Sequence, residues 1–342
     1  MNYLITGIAG FVGSSLARSI LTTDPESRIV GIDNFSFGYP ERISDIKDRI
    51  NFIEGDLINL NDLVEAQKFD AIIHCAAIAP LPECQLNSYR ALNQNVAICG
   101  SILDFALKSG SRNIVFFSSG AIYEGVTEFP TPENVKIVTS LTYPSSKYLA
   151  EIFFESFCRS HQINVTAIRL FNLYGPYQDY FRKQPPLIGY LLKCIIQNEQ
   201  AILYSSGEQS RDYIFIDDLL KLVLLSANKM NNNSLAGTFL AINAGSGASV
   251  SVNSIISILE NISGKKLEVK RLSSKHYWDK YPEIFNKPIH ILSETIEKEV
   301  NKFTQACTIK VMNELNWSAS VSLEDGLRLC FEHAKKILKG KN

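Results

Sequence analysis

The first half of the chain alternates short apolar runs with longer amphipathic segments. Runs at 3–6, Arg28–Asp33, Asn51–Glu54, 70–75, 113–118 and Asn164–Leu170 read as strands. Several, such as Ala71-Ile72-Ile73 and Ile114-Val115-Phe116-Phe117, are continuous rather than alternating, the pattern of strands covered on both faces of a parallel sheet. Between them, 12–21, 61–66 and 95–108 read as helices. In the last, Val96, Cys99, Ile102, Leu103 and Ala106 recur at helical spacing. Strand–helix alternation repeated this often predicts an α/β domain built on a doubly wound parallel sheet of the Rossmann type.

After Leu170 the rhythm changes. Residues 172–186, rich in Gly, Pro, Tyr and Gln, read as a loop. A helix at Leu187–Gln197, a strand at 201–204 and a polar turn at 205–210 follow. Residues 214–225, with Asp217 and Asp218 at a helix start, and 239–243 read as a return to the first domain. Beyond 249 come two helical segments flanking 267–272 and a final helix near 323–338. The expected organisation is a dinucleotide domain of 1–170 plus 211–247, interleaved with a smaller α/β domain of 171–210 plus 248–342.

Composition narrows the classes. The 342 residues amount to about two domains at roughly 150 residues each. With 34 Lys plus Arg against 35 Asp plus Glu, the formal net charge is −1. No global field then favours nucleic acid or a membrane surface as partner. Seven scattered cysteines without a Cys-x-x-Cys pair, and five histidines not spaced as ligands, argue against a disulfide framework and a metal centre. Gly7, Gly10 and Gly13 interrupt the apolar start, and no stretch reaches the ~18 apolar residues of a membrane span. The chain reads as soluble and cytoplasmic.

Two patterns carry chemistry. Thr6-Gly7-Ile8-Ala9-Gly10-Phe11-Val12-Gly13 follows the first strand and opens the first helix, where a glycine turn and free N–H groups suit a pyrophosphate. Asp33 ends the second strand, placed to accept from an adenosine ribose. Asn34-Phe35-Ser36 follow it without a cation, which favours NAD over NADP. Asp56-Leu57 either flank the adenine or cap a helix. Further on, Tyr143 and Lys147 lie four residues apart, on one helical face. Ser118-Ser119 end a strand upstream, at the sheet edge where open α/β folds place ligands. A tyrosine acts as a base near neutrality only if positive charge stabilises its phenolate. Lys147 and an oxidised nicotinamide supply that charge, and Ser119 holds the reacting hydroxyl.

On these residues the sequence resembles the extended short-chain dehydrogenase/reductases, specifically the nucleotide-sugar epimerase/dehydratase group. Further marks are His74-Cys75-Ala76-Ala77, Asn95, the run from Arg169 to Pro176, Arg211-Asp212-Tyr213, the run from Asn243 to Gly247, and the run from Ser322 to Gly326. The resemblance implies cofactor contacts from Gly7, Gly10, Phe11, Val12, Gly13, Asp33, Asn34, Ser36, Asp56, Leu57, Ala76, Ala77, Asn95, Ser118, Tyr143, Lys147 and Phe171. It implies substrate contacts from Ser119, Asn172, Leu187, Tyr204 and Arg211, the last two elements being a base-flanking tyrosine and a guanidinium suited to a diphosphate. It also implies a homodimer through 95–108 and 143–161, with Phe153, Phe154 and Phe157 on the apolar faces.

Dehydratases of this group resemble one another in a carboxylate two positions after the catalytic Ser/Thr. Here that position is Ala121. The expected activity is therefore NAD-dependent 4-epimerisation of a nucleotide sugar, with UDP as the expected nucleotide. A dehydratase or reductase is the alternative, and a non-catalytic NAD sensor the rival of another class. Four features depart from the family pattern: Glu124, Cys84, and the absence from 273–305 of both the Arg-Pro-Gly and the Asp-x-Ser-Lys-Ala segments. Trp278 and Tyr281, in that stretch, either line a substrate lid or pack the small domain.

Overall fold

The computed structural model describes residues 1–232 and 237–339. Its strands are β1 (Asn2–Thr6), β2 (Arg28–Asp33), β3 (Asn51–Glu54), β4 (Ala71–His74), β5 (Asn113–Ser119) and β6 (Asn164–Leu170), then β7 (Asn172–Tyr174), β8 (Ala201–Leu203), β9 (Ser210–Phe215), β10 (Phe239–Ala244), β11 (Ser249–Ser251) and β12 (Val269–Arg271). Seven of them form one sheet in the order β10-β6-β5-β4-β1-β2-β3. All six pairings in it are parallel. The chain reverses direction across the sheet between β1 and β4. The carboxyl ends of β1, β2, β4 and β5 therefore surround one crevice.

The continuous apolar runs explain the layers. Leu4, Ile72, Ile114 and Phe116 pack against helices Ile98–Ser109 and Thr142–His161 through Ile102, Leu103, Phe105 and Phe154. Their alternates Ile5, Ile73, Val115 and Phe117 face helices Phe11–Thr23 and Ile216–Asn232, through Leu16, Ile20, Leu219 and Val223. Both faces are dry, as the uninterrupted patterning requires.

Several elements differ from the sequence reading. The segment 95–108 is the tail of a longer helical stretch: Ser88–Leu92, a π-turn at Asn93–Ala97, then Ile98–Ser109. The helix expected at 61–66 is one turn, Leu60–Leu63. β7 lies inside the expected 172–186 loop and pairs with β9, which also pairs with β11. The chain re-enters the large sheet with β10, after helix Ile216–Asn232. In 273–305, Trp278 and Tyr281 pack with Leu141, Ile284, Ile291, Ile296 and Val300. They fill the small domain and do not line a lid.

Candidate active site

The glycine turn is forced by sterics. Gly7 has φ +68°, and a Cβ there would stand 2.7 Å from the Ala76 nitrogen. A Cβ on Gly13 would stand 2.3 Å from the Gly7 carbonyl. Only glycine lets the loop, the first helix turn and the β4 end approach so closely. Gly10 caps the helix that Phe11 and Val12 open, with no side chain covering its free N–H groups. That leaves a cradle open to an anionic ligand.

A cavity of about 270 Å³ runs from this turn past Asp33, Asn34 and Ser36 to Asp56 and Leu57, with Ala76 and Ala77 on its other wall. Asp33 accepts the Ala9 and Phe35 N–H at 2.9 and 2.8 Å, which fixes its carboxylate at the crevice edge. Burial pushes its pKa up against those bonds. Asn34 accepts from the Ser36 N–H at 3.0 Å. Asp56 caps the turn Leu57–Asn59 by accepting from Ile58 at 3.1 Å, and it also lines the cavity. The sequence reading missed Phe37, Gly38, Ile78, Arg90 and Gln94, which also line it. Arg90 and Gln94 sit one turn apart, a signal hidden because the π-turn breaks the helical period.

Three expected cofactor contacts have other partners. Asn95 is buried and spends its amide on Ile78 (2.9 and 3.0 Å) and the Ser146 hydroxyl (3.0 Å). It holds the cavity wall without facing the cavity. The Ser118 hydroxyl donates to Glu151 inside the protein. Phe171 packs with Ile122 and Tyr123 and stands against Gly120, supporting the turn after Ser119.

At the end of β5, the Ser119 hydroxyl caps the turn Gly120–Tyr123 by accepting the Ala121 N–H at 3.1 Å. Burial holds the Tyr143 pKa up at about 12, a rise the neighbouring Ser119 hydroxyl opposes. Burial also lowers Lys147 to about 8. The Lys147 ammonium donates to the Phe117 carbonyl at 2.8 Å and lies 5.0 Å from the centre of the Phe116 ring. Behind this group, Glu151 pairs with Arg169 at 2.8 Å, and Arg169 donates to the Tyr123 hydroxyl, also at 2.8 Å. The pair and the Ser118 bond together lock helix Thr142–His161 to β5 and β6.

On the other side of the crevice, Arg211 donates to the carbonyls of Glu299 and Val300 at 2.7 and 3.3 Å, at the end of helix Ser293–Asn301. Its Nη1 is enclosed and has no partner among the described residues. A buried guanidinium nitrogen without an acceptor is ready for an anion. Asn172 donates to the Asp212 carbonyl at 3.0 Å beside it. Tyr204 meets Tyr277 edge-on at 5.6 Å, and Leu187 opens helix Leu187–Gln197. Glu124 accepts the Ser140 and Leu141 N–H groups just ahead of helix Thr142–His161, so this departure serves the catalytic helix. Cys84 is buried and donates to the Ile78 carbonyl at 3.3 Å. Among the described residues, no cluster of His, Cys, Asp or Glu could hold a metal, and no helix is long and apolar enough to cross a membrane.

A phenol beside a strand-end serine, with a buried lysine one turn on and a glycine-cradled crevice alongside, defines an extended short-chain dehydrogenase/reductase. The model of the NAD dependent epimerase/dehydratase family matches residues 3–243, and the chain belongs to that family. It is 26% identical to a UDP-glucuronate 4-epimerase of Thermodesulfobacterium geofontis, over 98% of this chain and 97% of that relative. It is 25% identical to a putative UDP-glucose 4-epimerase of Methanocaldococcus jannaschii, over 95% of each. The UDP-glucose 4-epimerase of Thermotoga maritima, solved with UDP-glucose, superposes with a TM-score of 0.80 at 26% identity, covering 99% of this chain and 100% of that one. The family's cofactor is NAD, and the cradle at Gly7–Gly13 with the Asp33 carboxylate fits that dinucleotide.

Proposed function

We propose that the protein interconverts C4 epimers of a UDP-sugar. The observation that carries this reading is the grouping of Ser119 at the carboxyl end of β5 with Tyr143 and, one turn on, Lys147 on the first turns of helix Thr142–His161. Bound NAD supplies the hydride acceptor and donor. Tyr143 takes the C4 hydroxyl proton, Ser119 orients that hydroxyl, and the Lys147 charge stabilises the phenolate. Tyr143 then returns the proton when the opposite face is reduced. Arg211 and Asn172 hold the diphosphate while the sugar turns, and Leu187 and Tyr204 flank the base. Asn34, Ser36, Ala76 and Ala77 line the dinucleotide.

Dehydration finds less support: Ala121 offers no acid or base, and the nearby Glu124 carboxylate is engaged by backbone N–H groups. The relatives named for UDP-glucuronate and UDP-glucose support UDP as the nucleotide. Purified protein is mixed with UDP-glucuronate, UDP-glucose and UDP-N-acetylglucosamine, and the products are separated. We expect one of them to yield its C4 epimer and Tyr143→Phe to lower that rate by about 100-fold or more. A 4-keto-6-deoxy product, or undiminished turnover by the variant, overturns the reading.

The reading includes a homodimer. Leu149, Ile152 and Phe153 are exposed on helix Thr142–His161, whereas Phe154 is buried in the core and Phe157 stacks on His161. Phe153→Glu is expected to sediment as a monomer; an unchanged mass contradicts the pairing.

A further inference from the structure

The cavity along the glycine turn has an uneven charge. Its lining side chains include two carboxylates, Asp33 and Asp56, and a single cation, Arg90. A dinucleotide brings two phosphate charges into this space. The helix Phe11–Thr23 offers them N–H groups and a partial positive end, while the two carboxylates repel them.

Arg90 is presented from the opposite wall. Its helix, Ser88–Leu92, begins at Asn87, whose side chain accepts the Arg90 N–H at 2.9 Å. The π-turn that follows is pinned by Asn95 to Ile78 and Ser146, and it puts Gln94 into the same lining. The Arg90 guanidinium has no carboxylate or carbonyl partner among the described residues. It rests 5.9 Å from the centre of the half-exposed Phe37 ring, itself a lining residue. Cation–π contact with an exposed ring is weak, whereas a guanidinium and a phosphate form a forked, charge-assisted pair.

We infer that Arg90 closes over the bound dinucleotide and pairs with its pyrophosphate, opposite the glycine turn. The cation that this cofactor needs comes from the helix at 88–92, outside the loop that marks the fold. The inference concerns the cofactor alone and holds whichever sugar the enzyme takes.

Arg90 is exposed, so Arg90→Gln leaves the core intact. The full chain and this variant are titrated with NADH, NADPH, ADP-ribose and adenosine, at two salt concentrations. NADH and ADP-ribose are expected to bind the variant about 10-fold to 100-fold more weakly, as loss of a hydrogen bond to a charged group predicts. Adenosine, which lacks the pyrophosphate, is expected to bind both proteins equally. The salt dependence of NADH binding is expected to flatten in the variant. Unchanged NADH and ADP-ribose affinities overturn the inference. So does an equal loss for adenosine, which assigns Arg90 to the shape of the cavity. A loss confined to NADPH overturns it as well, since Arg90 would then read a 2′-phosphate.

Discussion

Lys147 shows most plainly how a functional residue works against the fold. In water its ammonium holds its proton to about pH 10.5; buried beside β5 it holds it only to about 8. Between those values the unfolded chain binds the extra proton, so stability gains with rising pH from about 8 to 10.5 and is lowest below. The charged amine thus costs on the order of 3 kcal/mol at neutral pH. Lys147→Met is expected to raise the melting temperature by roughly 2–4 °C and to abolish turnover. The wild-type rate is expected to fall as pH rises through about 8, where Lys147 loses the charge that stabilises the Tyr143 phenolate. A variant that melts lower, or a rate that climbs steadily to pH 10, contradicts this. Ser119, Tyr143 and Lys147 were legible because fixed spacing on predicted elements brings them together. Arg90 and Gln94 were not, because nothing in a linear pattern marks a π-turn. Asn95, Ser118 and Phe171 were legible as parts of the site, but their partners Ile78, Ser146, Glu151, Ile122 and Tyr123 were not, because those lie elsewhere in the chain.

At the scale of elements, helix Thr142–His161 presents Tyr143 and Lys147 on its first turns and its anchor on the third. Glu151 is buried and its carboxylate has three partners within reach: the Ser118 hydroxyl and the Nε and Nη2 of Arg169. Glu151→Gln leaves Arg169 charged and unpaired inside the protein, and is expected to cost about 3–5 kcal/mol in a denaturant titration. A loss below about 1 kcal/mol contradicts a buried pair that ties helix to sheet. The strands of the large sheet were readable almost to the residue, since a strand covered on both faces is a continuous apolar run. The short strands β7, β8, β11 and β12 have three residues each. Strands that short carry almost no periodicity, and their pairing is decided by distant partners. So β9, which the sequence reading did not mark as a strand, lies between β11 and β7.

At the scale of the molecule, the near-zero net charge is compatible with two anionic ligands, because the charges that meet them are local. Arg211 is gripped by the end of helix Ser293–Asn301 with one nitrogen left over, and the glycine turn lines the cavity at the other end. The stretch 273–305 was legible only as a departure. The packing of Trp278 and Tyr281 gives it a core of its own, and its helix fixes Arg211 by backbone carbonyls, a contact to which side-chain identity gives no clue. The large sheet and the small domain share one continuous core, from Ile5 and Ile73 to Leu191, Ile255 and Leu259, so crevice and substrate side are built as one body. The most direct test of the whole account follows the C4 hydrogen. A UDP-sugar deuterated at C4 is converted by the enzyme in ordinary water, and the product is examined by mass spectrometry and proton NMR. Transient oxidation with return of the same hydride predicts an inverted C4 that keeps its deuterium. Deuterium lost to solvent, or moved to another carbon with loss of water, would contradict it.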